Sequence, residues 1–112
     1  MEITAVVSEV KRGALKGQYI VEADIEGGGS LRFDLVGGVL SLEPGDKLSI
    51  VFMDDKPSDD ELDRYDFCGH GYLVSEDKDK TIFSIWGLIY RFKPPLGLEK
   101  NKKYYLCIRK LK

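Results

Sequence analysis

The chain has 112 residues, 43% of them apolar, which excludes a two-domain enzyme and leaves enough apolar material for one packed core. With 17 Lys and Arg against 19 Asp and Glu the net charge is −2, which excludes an overall basic nucleic-acid protein. The charge is uneven, because residues 54–66 hold seven acids and two bases while residues 91–112 hold eight bases and one acid, and these read as separate features, an acidic loop and a basic tail.

Residues 3–10 are rich in β-branched side chains and read as a strand, followed by a loop over 11–17 with two glycines and three cations. Tyr19, Val21, Ala23 and Ile25 alternate with Glu22, Asp24 and Glu26, the period of a half-buried strand. Gly27, Gly28 and Gly29 break it, and Leu31, Phe33 and Leu35 alternate with Arg32 and Asp34 in a third. After an apolar, glycine-bearing stretch over 36–42, Glu43-Pro44-Gly45-Asp46 is a turn signal that leads into a strand over 47–53.

The acidic segment 54–66 carries Pro57 and Ser58 and reads as a solvated excursion with one helical turn at 59–63. Residues 67–74, 81–92 and 104–111 read as three more strands, the first two joined by a charged turn at 75–80. No window shows a sustained helical period. The pattern predicts an all-β domain spanning 1–112, a small closed or nearly closed antiparallel barrel of the OB (oligonucleotide/oligosaccharide-binding) type, since closure removes the edges so strand-rich a chain exposes.

Cys68 and Cys107 lie in different apolar segments without metal-site spacing, so neither a disulfide framework nor a zinc site is read here, and buried free thiols are the simpler expectation. Met1 is followed by Glu2 and an alternating segment, so no signal peptide is visible, and no apolar run is long enough to span a bilayer. These features predict a soluble protein of a reducing, cytoplasmic compartment. Gln18 and Asn101 are the only side-chain amides in a chain that is 32% charged, a balance associated with hyperthermophile proteins.

Candidate chemistry is sparse. His70, the only histidine, lies in Cys68-Gly69-His70-Gly71, where a Cys/His nucleophilic pair is conceivable, but no orienting group or oxyanion hole accompanies it; a packed thiol beside a surface imidazole is the plainer reading. Asp54, Asp55, Asp59, Asp60, Glu61 and Asp63 are hard oxygen donors whose spacing matches no calcium loop. Phe83, Trp86, Tyr90 and Phe92 interleave with Arg91 and Lys93. In one continuous strand Trp86, Tyr90 and Phe92 share a face with Phe83 opposite, so they serve the core, a protein interface, or base stacking in a free-standing binder of single-stranded nucleic acid. Lys100, Lys102 and Lys103, with Arg109, Lys110 and Lys112, are either solvated flanks of the last strand or a patch for an acidic partner.

Asp66-Phe67-Cys68-Gly69-His70-Gly71-Tyr72, then Ser84-Ile85-Trp86-Gly87-Leu88-Ile89-Tyr90-Arg91, then Tyr105-Leu106-Cys107-Ile108-Arg109-Lys110 together resemble the C-terminal half of subunit 8 of eukaryotic RNA polymerases and its archaeal counterpart, the G subunit. Phe33-Asp34-Leu35 and Leu42-Glu43-Pro44-Gly45-Asp46-Lys47-Leu48 resemble the same family more loosely. Trp86 stands where the family has the first of two glycines, and Tyr90 where it has an aliphatic residue or methionine. The chain is also shorter than a typical eukaryotic member, as the archaeal form is.

The resemblance implies an OB-like barrel of about eight strands at the periphery of RNA polymerase, bound chiefly to the largest subunit and remote from its catalytic magnesium. It implies a non-catalytic role in assembly, without cofactor, metal or small-molecule substrate, away from membranes, and with nucleic acid met at most indirectly. The expected partner interface lies on the motif strands, at Phe67, Gly69, Gly71, Tyr72, Trp86, Gly87, Tyr90 and Arg91, where glycines permit close approach and aromatics anchor; the same glycines also suit a barrel that bends at its corners.

Overall fold

In a computed structural model the described residues, 1–38 and 40–111, form eight strands and one helical turn. The strands are β1 (Glu2–Arg12), β2 (Gln18–Ile25), β3 (Ser30–Val36), β4 (Lys47–Met53), β5 (Phe67–Glu76), β6 (Thr81–Ile85), β7 (Leu88–Lys93) and β8 (Lys103–Leu111), with α1 (Asp59–Leu62) between β4 and β5. Val39 of the 36–42 stretch and Lys112 of the basic tail lie outside the described residues.

The strands close into a barrel in the order β1-β2-β3-β7-β6-β5-β8-β4, with every neighbouring pair antiparallel. Period-2 patterning makes this possible, since Ile3, Ala5 and Val7 of β1, Val21 and Ala23 of β2, and Leu31, Phe33 and Leu35 of β3 all turn inward. An eight-stranded barrel has an interior that side chains just fill. Here aliphatic side chains surround a group of packed rings: the Phe52 ring meets Phe83, Phe92 and Tyr104 edge-on at centroid separations of 5.3, 5.6 and 6.1 Å, and Phe33 stacks on Tyr90 at 5.1 Å.

The expected single strand over 81–92 is two strands. Trp86 and Gly87 form a two-residue turn between paired Ile85 and Leu88, and both have positive φ, 51° and 87°, as the hairpin turn matched to strand twist requires. The turn resets the inward–outward phase. Phe83, Tyr90 and Phe92 therefore all lie in the core, and Trp86 alone stays outside, which corrects the expected grouping of Trp86 with Tyr90 and Phe92.

Cys68 and Cys107 are joined in a disulfide, which corrects the expectation of free thiols. The cause is register: Cys68 on β5 pairs with Cys107 on β8, so two cysteines far apart in sequence share one rung and one face.

The acidic segment and basic tail are not separate. Asp66 donates its N–H to the Ile108 carbonyl and accepts the Lys110 N–H at 2.7 Å, and Lys102 Nζ lies 3.1 Å from Asp54 Oδ2. The helical turn inside the segment starts with a capping box, in which the Ser58 hydroxyl accepts from Glu61 N–H and the Glu61 carboxylate from Ser58 N–H.

A single carboxylate organises the crossover from β7 to β8. Glu76 Oε2 accepts from the Thr81 hydroxyl and from the N–H groups of Gly97 and Leu98 at 3.2 and 3.3 Å, while Thr81 Oγ1 accepts from Leu96 N–H at 2.8 Å. Thr81 is fully buried, and these bonds satisfy its hydroxyl.

Candidate partner interface

The eight residues expected at an interface fall into two groups. Phe67, Gly69, Gly71 and Tyr90 are half-buried or buried on the inner side of the barrel wall, whereas Tyr72, Trp86, Gly87 and Arg91 are exposed. Alternation along β5 puts Gly69 and Gly71 inward and Cys68, His70 and Tyr72 outward. A Cβ on Gly69 would lie 2.5 Å from Ile85 Cγ2, and one on Gly71 would lie 2.2 Å from the Ser84 carbonyl oxygen. The two glycines thus let β5 close onto β6, the bending role the sequence left open for them.

Tyr90 is a core residue. Its hydroxyl has no hydrogen-bond partner among the described residues, and burial, with the Asp34 carboxylate adding to it, raises the pKa of the phenol. Arg91, on the outer face of β7, stands directly opposite Arg32 of β3. Arg32 has Glu22 at 4.0 Å on β2, whereas Arg91 has no ion pair among the described residues.

The reactive pair considered at Cys68 and His70 is overturned by the disulfide, because a sulfur bonded to Cys107 offers no thiol for His70 to deprotonate. The imidazole instead stacks on Tyr105 of β8, with ring centroids 4.2 Å apart and planes within 4°. Among the described residues no group of three or more His, Cys, Asp or Glu could hold a metal ion, and no helix is long and apolar enough to cross a membrane. Three of the four aromatics that a base-stacking platform would have used are buried.

The basic tail is partly neutralised by its own chain. The Asp54 carboxylate, through its hydrogen bond to Lys102, holds that ammonium above the ordinary lysine range, and Glu99 adds to the effect. Lys102 also lies 5.3 Å from the Tyr104 ring centroid, and Lys110 is 3.3 Å from Asp46.

Sequence patterning missed a feature at one end of the barrel. Trp86 at the β6–β7 turn, Leu15 in the β1–β2 loop, Val36 at the end of β3 and Leu88 at the start of β7 line one open cleft. Trp86 is 77% exposed and Leu15 72%. The signal that could have found it is Leu15 itself, the one large apolar side chain in a loop of glycine, alanine and cations. Chemically the arrangement offers apolar contact surface with cations beside it.

A closed, eight-stranded antiparallel barrel with six aromatic side chains in its core, its two cysteines joined, and Trp86 projecting at one end defines a small OB-like barrel protein. The family model that describes the G subunit of DNA-directed RNA polymerase matches residues 1–111, and the chain belongs to that family. It is 27% identical over 121 residues to the DNA-directed RNA polymerase subunit Rpo8 of Sulfolobus acidocaldarius, covering 98% of each chain. It is also 27% identical to the protein of the same name from Saccharolobus solfataricus, over 93% of this chain and 88% of that one.

Proposed function

We propose that this protein is a non-catalytic assembly subunit of an archaeal DNA-directed RNA polymerase, docking chiefly on the largest subunit, in the cytoplasm. The observation that carries the reading is the family match along nearly the whole chain, 1–111, which includes the barrel and every motif strand. The side-chain chemistry supports it. The cysteines are tied in a crosslink and the histidine is stacked, whereas the exposed residues of the motif strands, Tyr72, Trp86 and Arg91, are of the types that anchor protein interfaces.

In this role Tyr72, Trp86 and Arg91 touch the partner, and Phe67, Gly69, Gly71, Gly87 and Tyr90 hold the strands that present them. The interface is of standard size with an apolar centre and a charged rim, and nucleic acid meets the subunit at most indirectly. Co-expression with the largest subunit tests the reading. A stable complex in fixed proportion is expected, and failure to co-purify at moderate salt, with a folded barrel confirmed by circular dichroism, overturns it.

A further inference from the structure

We infer that the cleft at the Trp86 end of the barrel is the docking site for an apolar segment flanked by carboxylates on a neighbouring polymerase subunit; the inference rests on the polymerase reading above. The cleft unites three connections far apart in sequence, the β1–β2 loop, the end of β3 and the β6–β7 turn, which bring Leu15, Val36, Trp86 and Leu88 together. Each is exposed or only half-buried, although the barrel core has its full complement of aromatic and aliphatic side chains.

Trp86 is costly where it stands. A two-residue turn with positive φ at both positions takes Gly or Asn most readily, and a bulky side chain at φ 51° is strained by about 1 kcal/mol. The same residue turns the largest side chain in the protein into water. Glycine would remove both costs in the isolated barrel, so the tryptophan gains its stabilisation from something outside it. Trp is also the residue type that most often carries interface affinity when it fills a partner's pocket.

Charge gives the chemistry of the occupant. Lys16 lines this cleft and, with Arg12, the adjoining one that shares Leu15 and Gln18. Neither cation has an ion pair among the described residues, and no carboxylate lines either cleft. Carboxylates beside an apolar ridge complement this arrangement. A second copy of the chain does not, because a two-fold interface would set the same cations against one another. Single-stranded nucleic acid finds two exposed rings here, Trp86 and Tyr19, but they line different clefts, and Trp86 stands among aliphatic neighbours rather than on a run of stacking rings.

The test compares wild type, Trp86→Gly and the pair Arg12→Glu/Lys16→Glu for binding to the co-expressed largest subunit and for incorporation into reconstituted polymerase. Trp86→Gly is expected to melt at the wild-type temperature or above, yet to bind at least tenfold more weakly. The charge-reversed pair is expected to bind more weakly with a shallower salt dependence. Trp86 is the only tryptophan of this chain, so 7-azatryptophan incorporated into this subunit alone and excited at the red edge gives an emission that reports this site and should shift to the blue on assembly. Wild-type incorporation with unchanged affinity for Trp86→Gly and an unmoved emission overturns the docking site and leaves the polymerase reading standing. Failure of wild type to assemble overturns both. Concentration-dependent dimerisation, or binding of a single-stranded oligonucleotide, that buries Trp86 while polymerase assembly leaves it exposed assigns the cleft to another occupant and overturns the proposal.

Discussion

Cys68 on β5 and Cys107 on β8 face each other across one rung of the barrel, with Cα atoms 4.1 Å apart and their sulfurs bonded. The crosslink spans a sequence separation of 39 residues and joins the strands that carry the first and last motifs of the C-terminal half. In the chain-entropy account, tying a loop of that length stabilises the fold by about 2–4 kcal/mol. Denaturant unfolding with and without reductant should therefore differ by that amount, and the Cys68→Ser/Cys107→Ser variant should match the reduced protein. An unchanged midpoint would show the bond contributes nothing.

Tyr90 buries a hydroxyl that finds no partner among the described residues, so its ring contributes and its oxygen does not. Removing an unsatisfied buried polar atom while keeping the ring is neutral or favourable, by up to about 1 kcal/mol. Tyr90→Phe is expected to melt at or above the wild-type temperature. Tyr90→Ala, which empties the stack against Phe33, should cost about 3–5 kcal/mol. A clear loss of stability in Tyr90→Phe would mean the oxygen has a partner after all.

Gly71 tests whether the glycines of β5 serve closure of the barrel. The methyl of Gly71→Ala would meet the Ser84 carbonyl at 2.2 Å and Phe83 Cε2 at 2.8 Å, and backbone must move to admit it. A loss of about 3 kcal/mol is expected. Gly45→Ala is the control, because nothing lies within 4 Å and only its positive φ of 95° resists, at about 1 kcal/mol. Equal losses by urea unfolding would refute the packing argument.

Asp77 ties the β5–β6 turn together. Its Oδ1 accepts the N–H groups of Asp79 and Lys80 at 2.7 and 3.0 Å, and these bonds, Asp79 first, hold its carboxyl below the ordinary aspartate value. A carboxyl whose folded pKa is depressed stabilises the fold above its unfolded pKa, and that contribution is lost as pH falls through the folded value. Amide exchange at Asp79 and Lys80, measured relative to the intrinsic rate, should accelerate on acidification through that range. In Asp77→Asn that acceleration should disappear; its persistence would place the titrating group elsewhere.

Much of the fold was legible because strand periodicity is a local property. The alternation in β2 and β3, the Pro44-Gly45 turn before β4 and the helical turn expected at 59–63 each depend on residues within a few positions of one another. The family was legible for a similar reason, since its motifs are short runs in fixed order. The split at Trp86-Gly87 was not, because glycine after a bulky aromatic is a weak turn signal. Missing that turn put Tyr90 and Phe92 on the wrong face.

By itself, then, the sequence determined an all-β chain, its turns and its kinship with the G subunit of RNA polymerase, since these follow from local alternation and motif order. Only the tertiary structure decided which distant residues meet. The pairing of Cys68 with Cys107 and of Asp54 with Lys102, and the placing of Leu15 and Trp86 along one cleft, all depend on the register in which eight strands close. Register arises from the simultaneous packing of every inner side chain, and no local window contains that information.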